Sequence, residues 1–134
     1  MEPPVDRIKL SQSAKDQLLK LKRITKIDQW NILCRWAFCR SLADSSLPSP
    51  VLVPSDDNLE ITWQAFGGNI SDQLIIALKQ WCYEHELPID KESLAHQLRH
   101  HIHRGIGYLA SDPDIRSIKD FTEIALATNE VRSN

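Results

Sequence analysis

The chain has 134 residues, of which 42% are hydrophobic and 25% charged, proportions that suit one globular domain over 1–134 with a real core. No apolar run approaches the roughly 20 residues of a membrane span, and the opening Met1-Glu2-Pro3-Pro4-Val5-Asp6-Arg7 lacks the basic and apolar regions of a secretory signal; the expectation is a cytoplasmic protein with no membrane partner. The net charge of −2 argues by itself against a nucleic-acid partner, yet residues 1–40 hold nine basic against four acidic residues, +5, while 41–90 hold one against eight, −7, and 91–134 balance six against six. Such segregation concentrates positive potential on one part of the molecule and can attract a polyanion.

Arg7-Ile8-Lys9-Leu10 alternates polar and apolar, the period of a short half-buried strand. Ser11 or Ser13 can cap a helix over about 13–26, with Ala14, Leu18, Leu21, Ile24 and Thr25 in one stripe. At about 100° per residue, Lys15, Lys22 and Lys26 line one edge of its exposed face. Asp28 is a cap for a helix over about 29–42 that is apolar on nearly every side; it must form the centre of the domain, pack against a second subunit, or do both. Residues 44–58, with Pro48, Pro50 and Pro54, read as a loop. Leu59-Glu60-Ile61-Thr62-Trp63 alternates as a strand closed by a Gly67-Gly68 turn.

Ser71 or Asn69 can then start a helix over about 71–86, with Leu74, Ile75, Leu78, Trp81 and Cys82 inward. A helix over about 90–104 turns Leu94, Ala95, Leu98 and Ile102 inward and meets Gly105 and Gly107. A last helix over about 113–128 begins at Pro113, a residue tolerated in the first helical turn. The fold class is mainly α: a basic ribbon-helix-helix-like unit over 1–43, a loop with a short strand over 44–70, a helical part over 71–128, and at most one or two short strands. In ribbon-helix-helix proteins two chains pair their strands into a ribbon that enters a major groove.

The candidate DNA contacts are Arg7, Lys9, Lys15, Lys20, Lys22, Arg23 and Lys26, since lysine supplies charge to phosphates without demanding one geometry. The plainer reading is a solvated basic face. His96, His100 and His103 share a helical face that could in principle bind metal, but Arg99 and Arg104 flank it and oppose a divalent cation. Arg99, His100, His103 and Arg104 therefore stand as contacts for DNA or a partner, with an inert surface as the alternative. The odd set of Cys34, Cys39 and Cys82 shows no metal spacing and reads as buried thiols. GxSxG, HExxH and two-metal nuclease patterns are missing, which points to a protein with no catalytic residue, metal or cofactor of its own.

Two blocks, Trp30-Asn31-Ile32-Leu33-Cys34-Arg35-Trp36-Ala37-Phe38-Cys39-Arg40-Ser41-Leu42 and Leu98-Arg99-His100-His101-Ile102-His103-Arg104-Gly105-Ile106-Gly107-Tyr108-Leu109, resemble the DndE family of DNA sulfur modification proteins. The opening Arg7-Ile8-Lys9-Leu10-Ser11 and the Phe66-Gly67-Gly68 segment fit the same pattern, so the resemblance covers nearly the whole chain. It implies membership of the Dnd system, which replaces a non-bridging oxygen of the DNA backbone with sulfur. In that system other subunits mobilise sulfur from cysteine, transfer it with an iron-sulfur cluster and hydrolyse ATP. The resemblance further implies a small, tetrameric, DNA-associating component inclined toward nicked duplex DNA. A ribbon-helix-helix regulator reading operator bases is the second reading, and a nicking nuclease a third without motif support.

Overall fold

The computed structural model describes residues 1–49, 53–54 and 59–115. Strand β1 (Arg7–Lys9) exposes Arg7 and Lys9 and buries Ile8, the alternation read from the sequence. It pairs antiparallel with β2 (Glu60–Thr62), with Ile8 opposite Ile61, both buried. The amides of Leu10 and Trp63 extend the ladder by donating to Leu59 O and Asp6 O. The partner of β1 thus belongs to the same chain, where the ribbon reading placed a second copy. On the opposite edge, the Lys9 carbonyl accepts Arg99 Nε at 2.9 Å.

Helix α1 (Gln12–Thr25) is capped by Ser11, whose Oγ accepts the Ala14 amide at 3.1 Å. Ala14, Leu18, Leu21 and Thr25 are buried, and Thr25 Oγ1 donates back to Leu21 O. Lys26 ends the helix in the left-handed region, φ 64°, so it leaves the helical row instead of continuing it. The chain then turns through 26–29 and α2 (Trp30–Leu42) begins after Gln29. Asp28 falls one residue too early to be the cap, and Gln29 makes no side-chain capping bond.

Thr62 caps a short helix that the sequence does not announce, α3 (Trp63–Gly67), through its Oγ1 and the Ala65 amide. Gly68, φ 54°, closes α3 and opens a 3-10 turn (Gly68–Ile70) that runs into α4 (Ser71–Glu84). Neither Ser71 nor Asn69 caps α4: Asn69 lies in the turn and Ser71 is already helical, behind Ile70. The inward set Leu74, Ile75, Leu78, Trp81 and Cys82 is the one expected.

Helix α5 (Lys91–Ser111), capped by Asp90, does not stop before Gly105 and Gly107. Two interior glycines cost about 2 kcal/mol together against alanine. Burying Ile106 and Leu109 in the continued stripe returns roughly 3–6 kcal/mol, so the helix continues. Gly105 also serves the packing. A Cβ there would lie 1.7 Å from the Ala37 carbonyl oxygen, so α2 and α5 cross backbone to backbone. Leu94, Leu98 and Ile102 point inward, whereas Ala95 is only half-buried.

Helices α1, α2 and α4 all pack on α5, and one hydrophobic cluster runs from Ile8 to Ile115. In α2, Leu33, Cys34, Ala37, Phe38 and Ser41 are buried, while Ile32 and Trp36 are half-buried and Cys39 is exposed. The expectation of three buried thiols therefore holds for Cys34 and Cys82 only, since Cys39 is exposed. Burial pushes the Cys34 thiol up to about 12 and raises that of Cys82. The helix expected over 113–128 lies, apart from its first residues, outside the described part; residues 113 and 114 form a turn. No helix among the described residues is long and apolar enough to cross a membrane.

Candidate nucleic-acid interface

The basic side chains of the N-terminal third separate into two kinds. Some are engaged within the chain: Arg7 pairs with Glu60 at 3.4 Å, and Lys20 Nζ donates to Ala110 O at 2.8 Å, tying α1 to the end of α5. Lys22 Nζ sits 4.8 Å from the centre of the Trp30 ring, a cation-π contact that also joins α1 to α2. Others are exposed, namely Lys9, Arg23 and Lys26, and these make no ion pair among the described residues. Lys15 is half-buried. At about 100° per residue, Lys15 and Lys22 flank one side of the outward arc of α1, Arg23 lies near its middle, and Lys20 is carried to the opposite flank. The first turn of α1 contains no acidic residue, and Asp16 Oδ1 accepts from the Gln12 side-chain Nε2 at 3.0 Å.

The histidine and arginine face of α5 is different. Arg99 spends its guanidinium on carbonyls, with Nε to Lys9 O and the terminal nitrogens to Val53 O and Pro54 O, all at 2.8–2.9 Å. Arg104 donates to Ser41 Oγ at 2.7 Å, Ser41 O at 2.8 Å and Ser46 O at 2.7 Å. These two planar forks fasten the segment after α2 across α5. They bridge parts of the fold, a role that spacing along one helix cannot reveal.

His103 is held just as firmly. The Ser11 amide donates to its Nε2 at 3.1 Å, so its single ring proton is on Nδ1, which donates to Arg99 O at 2.8 Å. Burial, with the Arg99 charge adding to it, pushes His103 down to about 4 and keeps it neutral. His100 is buried and stacks on His96 with ring centres 4.0 Å apart, its Nδ1 directed to His96 O. Burial, then the neighbouring His100, lowers His96.

His101 faces the core. Its Nδ1 is 2.8 Å from Ser41 Oγ, and its ring meets Trp81 edge to face at 4.3 Å. Burial and then Arg104 push it down to about 3. Ser41, His101, Arg104, Tyr108 and Asp44 make one network, closed by Tyr108 Oη donating to Asp44 Oδ2 at 2.7 Å. The Ser46 backbone amide, then Tyr108, hold the Asp44 carboxyl far below the usual carboxylate range. The visible sequence signal for this network is small: one serine in an apolar helix, and Arg104 four residues before Tyr108 on one face of α5.

Similar solved structures carry a name. A crystal structure of DndE from Escherichia coli B7A, involved in DNA phosphorothioation modification, is 29% identical with a TM-score of 0.65, covering 81% of this chain and 98% of that one. A double glycine-to-lysine mutant of DndE, involved in DNA phosphorothioation, is 25% identical with a TM-score of 0.59, covering 78% of this chain and 98% of that one. No curated protein matches the chain. The family model of the DNA sulphur modification protein DndE matches residues 7–117, and the chain belongs to the DndE family.

Proposed function

We propose that this chain is the DNA-docking, non-catalytic subunit of a DNA phosphorothioation machinery. It holds duplex DNA, nicked duplex included, for other Dnd subunits that carry the sulfur chemistry. The observation that supports this reading best is that Arg23 is exposed on the outward arc of α1 and Lys26 at its C-cap, both carried by a +5 segment. A phosphate-binding surface needs charge on a rigid scaffold and no base-reading geometry. Arg99 and Arg104 leave the DNA role to the N-terminal third, since their donors are given to carbonyls. The apolar sequence of α2, on which Ile32 is only half-buried, supports self-association, with a tetramer as the proposed state.

Fluorescence anisotropy on intact, nicked and scrambled duplexes across a salt series tests the reading, with sedimentation giving the assembly state. Affinity falls steeply with salt and is indifferent to sequence. Arg23→Ala with Lys26→Ala makes the salt slope shallower by about two units, roughly one per lost contact. The pair Lys15→Ala with Lys22→Ala gives a similar loss if the whole arc contacts phosphates. Unchanged affinity and slope in both double variants would remove α1 from the interface. Strong preference for one duplex sequence would instead favour an operator-reading regulator.

A further inference from the structure

His85 is the C-cap of α4, and both of its ring nitrogens meet backbone carbonyls: Nδ1 is 2.7 Å from Trp81 O and Nε2 is 2.6 Å from Ser45 O. A carbonyl only accepts, and a neutral imidazole has one N–H. Both bonds form together only when the ring carries two protons. We propose that His85 is a protonation-dependent strap: as an imidazolium it ties residues 43–49 to the C-terminal end of α4, and on losing a proton it gives up one of the two attachments.

Carbonyls, an aromatic face and carboxylates surround the ring. The last carbonyls of α4 present the negative end of the helix dipole. The ring also lies flat on Trp81, with centres 3.7 Å apart and planes 15° apart, so its charge would rest on an aromatic face. Glu84 and Glu86 flank it in sequence, and the Asp44 carboxylate is one residue from the accepting carbonyl. On the α5 side it faces His101, held neutral, and the Arg104 guanidinium, which grips the adjacent Ser46 carbonyl. Arg104 opposes a second positive charge, but its own donors are already met by Ser41 and Ser46. The segment is therefore fastened at Ser46 by the Arg104 guanidinium and at Ser45 by the His85 ring. Losing the Ser45 bond frees the part of the loop that borders a cavity of about 690 Å³, walled by Ser46, Leu47, His103, Arg104 and Tyr108.

Hydrogen exchange of residues 43–49 in the full chain, corrected for intrinsic rates, at about pH 5.5 and about pH 8.5 brackets histidine titration. Protection falls about tenfold at the higher pH, the factor expected for one charge-assisted bond. His85→Gln keeps an N–H donor without titrating and abolishes the pH dependence, whereas His96→Gln, at an exposed ring, preserves it. Ring nitrogen-15 spectra of the unmodified protein provide a readout that needs no variant: the His85 ring and the Ser45 segment titrate together. Equal protection at both pH values, a His85→Gln variant with the full pH response, or loop opening at a pH where the His85 ring does not change would each overturn the strap.

Discussion

Replacing Gly105 with alanine tests the helix crossing on which the whole arrangement rests. The new Cβ would lie 1.7 Å from Ala37 O, 2.3 Å from Ala37 C and 2.8 Å from Ala37 Cα. All three atoms are backbone, so no side chain can rotate away. Ordinary contact begins near 3.4 Å, and α2 and α5 must part by about 3.4 − 1.7 = 1.7 Å along that line. A radial gap of only 0.5–1 Å already forfeits roughly a quarter to a half of the dispersion between facing atoms. Overpacking of a side chain typically costs about 1–3 kcal/mol, and a backbone collision lies at or above that range. The helix propensity of alanine recovers about 1 kcal/mol. A net loss of about 3 kcal/mol, divided by an unfolding entropy near 2.1 cal/mol/K per residue, lowers Tm by about 10 °C for a chain of this length. Thermal unfolding followed by circular dichroism, at one fixed protein concentration, reads this directly. Gly107→Ala is the matched comparison: a Cβ there meets nothing within 4 Å, so Tm rises by about 2–3 °C from propensity alone. A Gly105→Ala variant within about 2 °C of the parent would refute the close crossing.

Other expectations follow from the same contacts. His103 and His101 are pushed down to about 4 and about 3, so below the ordinary histidine range the unfolded chain takes up protons that the folded chain refuses. Stability is therefore full above about pH 6.5 and falls with acid, by up to about 1.4 kcal/mol per pH unit for each ring, until pH reaches the folded values. Urea midpoints across pH 4–7 measure this, and His103→Gln makes the slope shallower. Arg104→Lys cannot reproduce a fork that reaches Ser41 and Ser46 together, and should cost roughly 1–3 kcal/mol in urea unfolding while leaving DNA affinity unchanged. Ser11→Ala removes the α1 cap and should cost about 1 kcal/mol by the same measurement.

Much of the helical framework was legible because burial imposes a period on local sequence. The inward residues of α4 and the stripe of α1 recur at three and four residues, and a single side-chain type at each position suffices to read them. The alternation at Ile8 was equally plain, but its partner was not: backbone pairing is blind to side chains at this length, and β2 lies some fifty residues away. The last two turns of α5 were hidden by Gly105 and Gly107, which read locally as breakers. Only the position of Ala37 shows that one of them is the condition for two helices to meet.

The same distinction governs the charged residues. The sequence by itself determined that positive charge is concentrated in the first forty residues, that no familiar catalytic pattern is present, and that α2 is too apolar to face water on every side. It could not sort one cation from another. Arg99, Arg104, Lys20 and Lys22 differ from Arg23 and Lys26 not in type but in what the folded chain brings within their reach. A long cationic side chain takes whichever carbonyl or ring the tertiary structure places near it. Whether it braces the fold or remains available to a phosphate is decided by contacts across tens of residues, which local spacing does not encode.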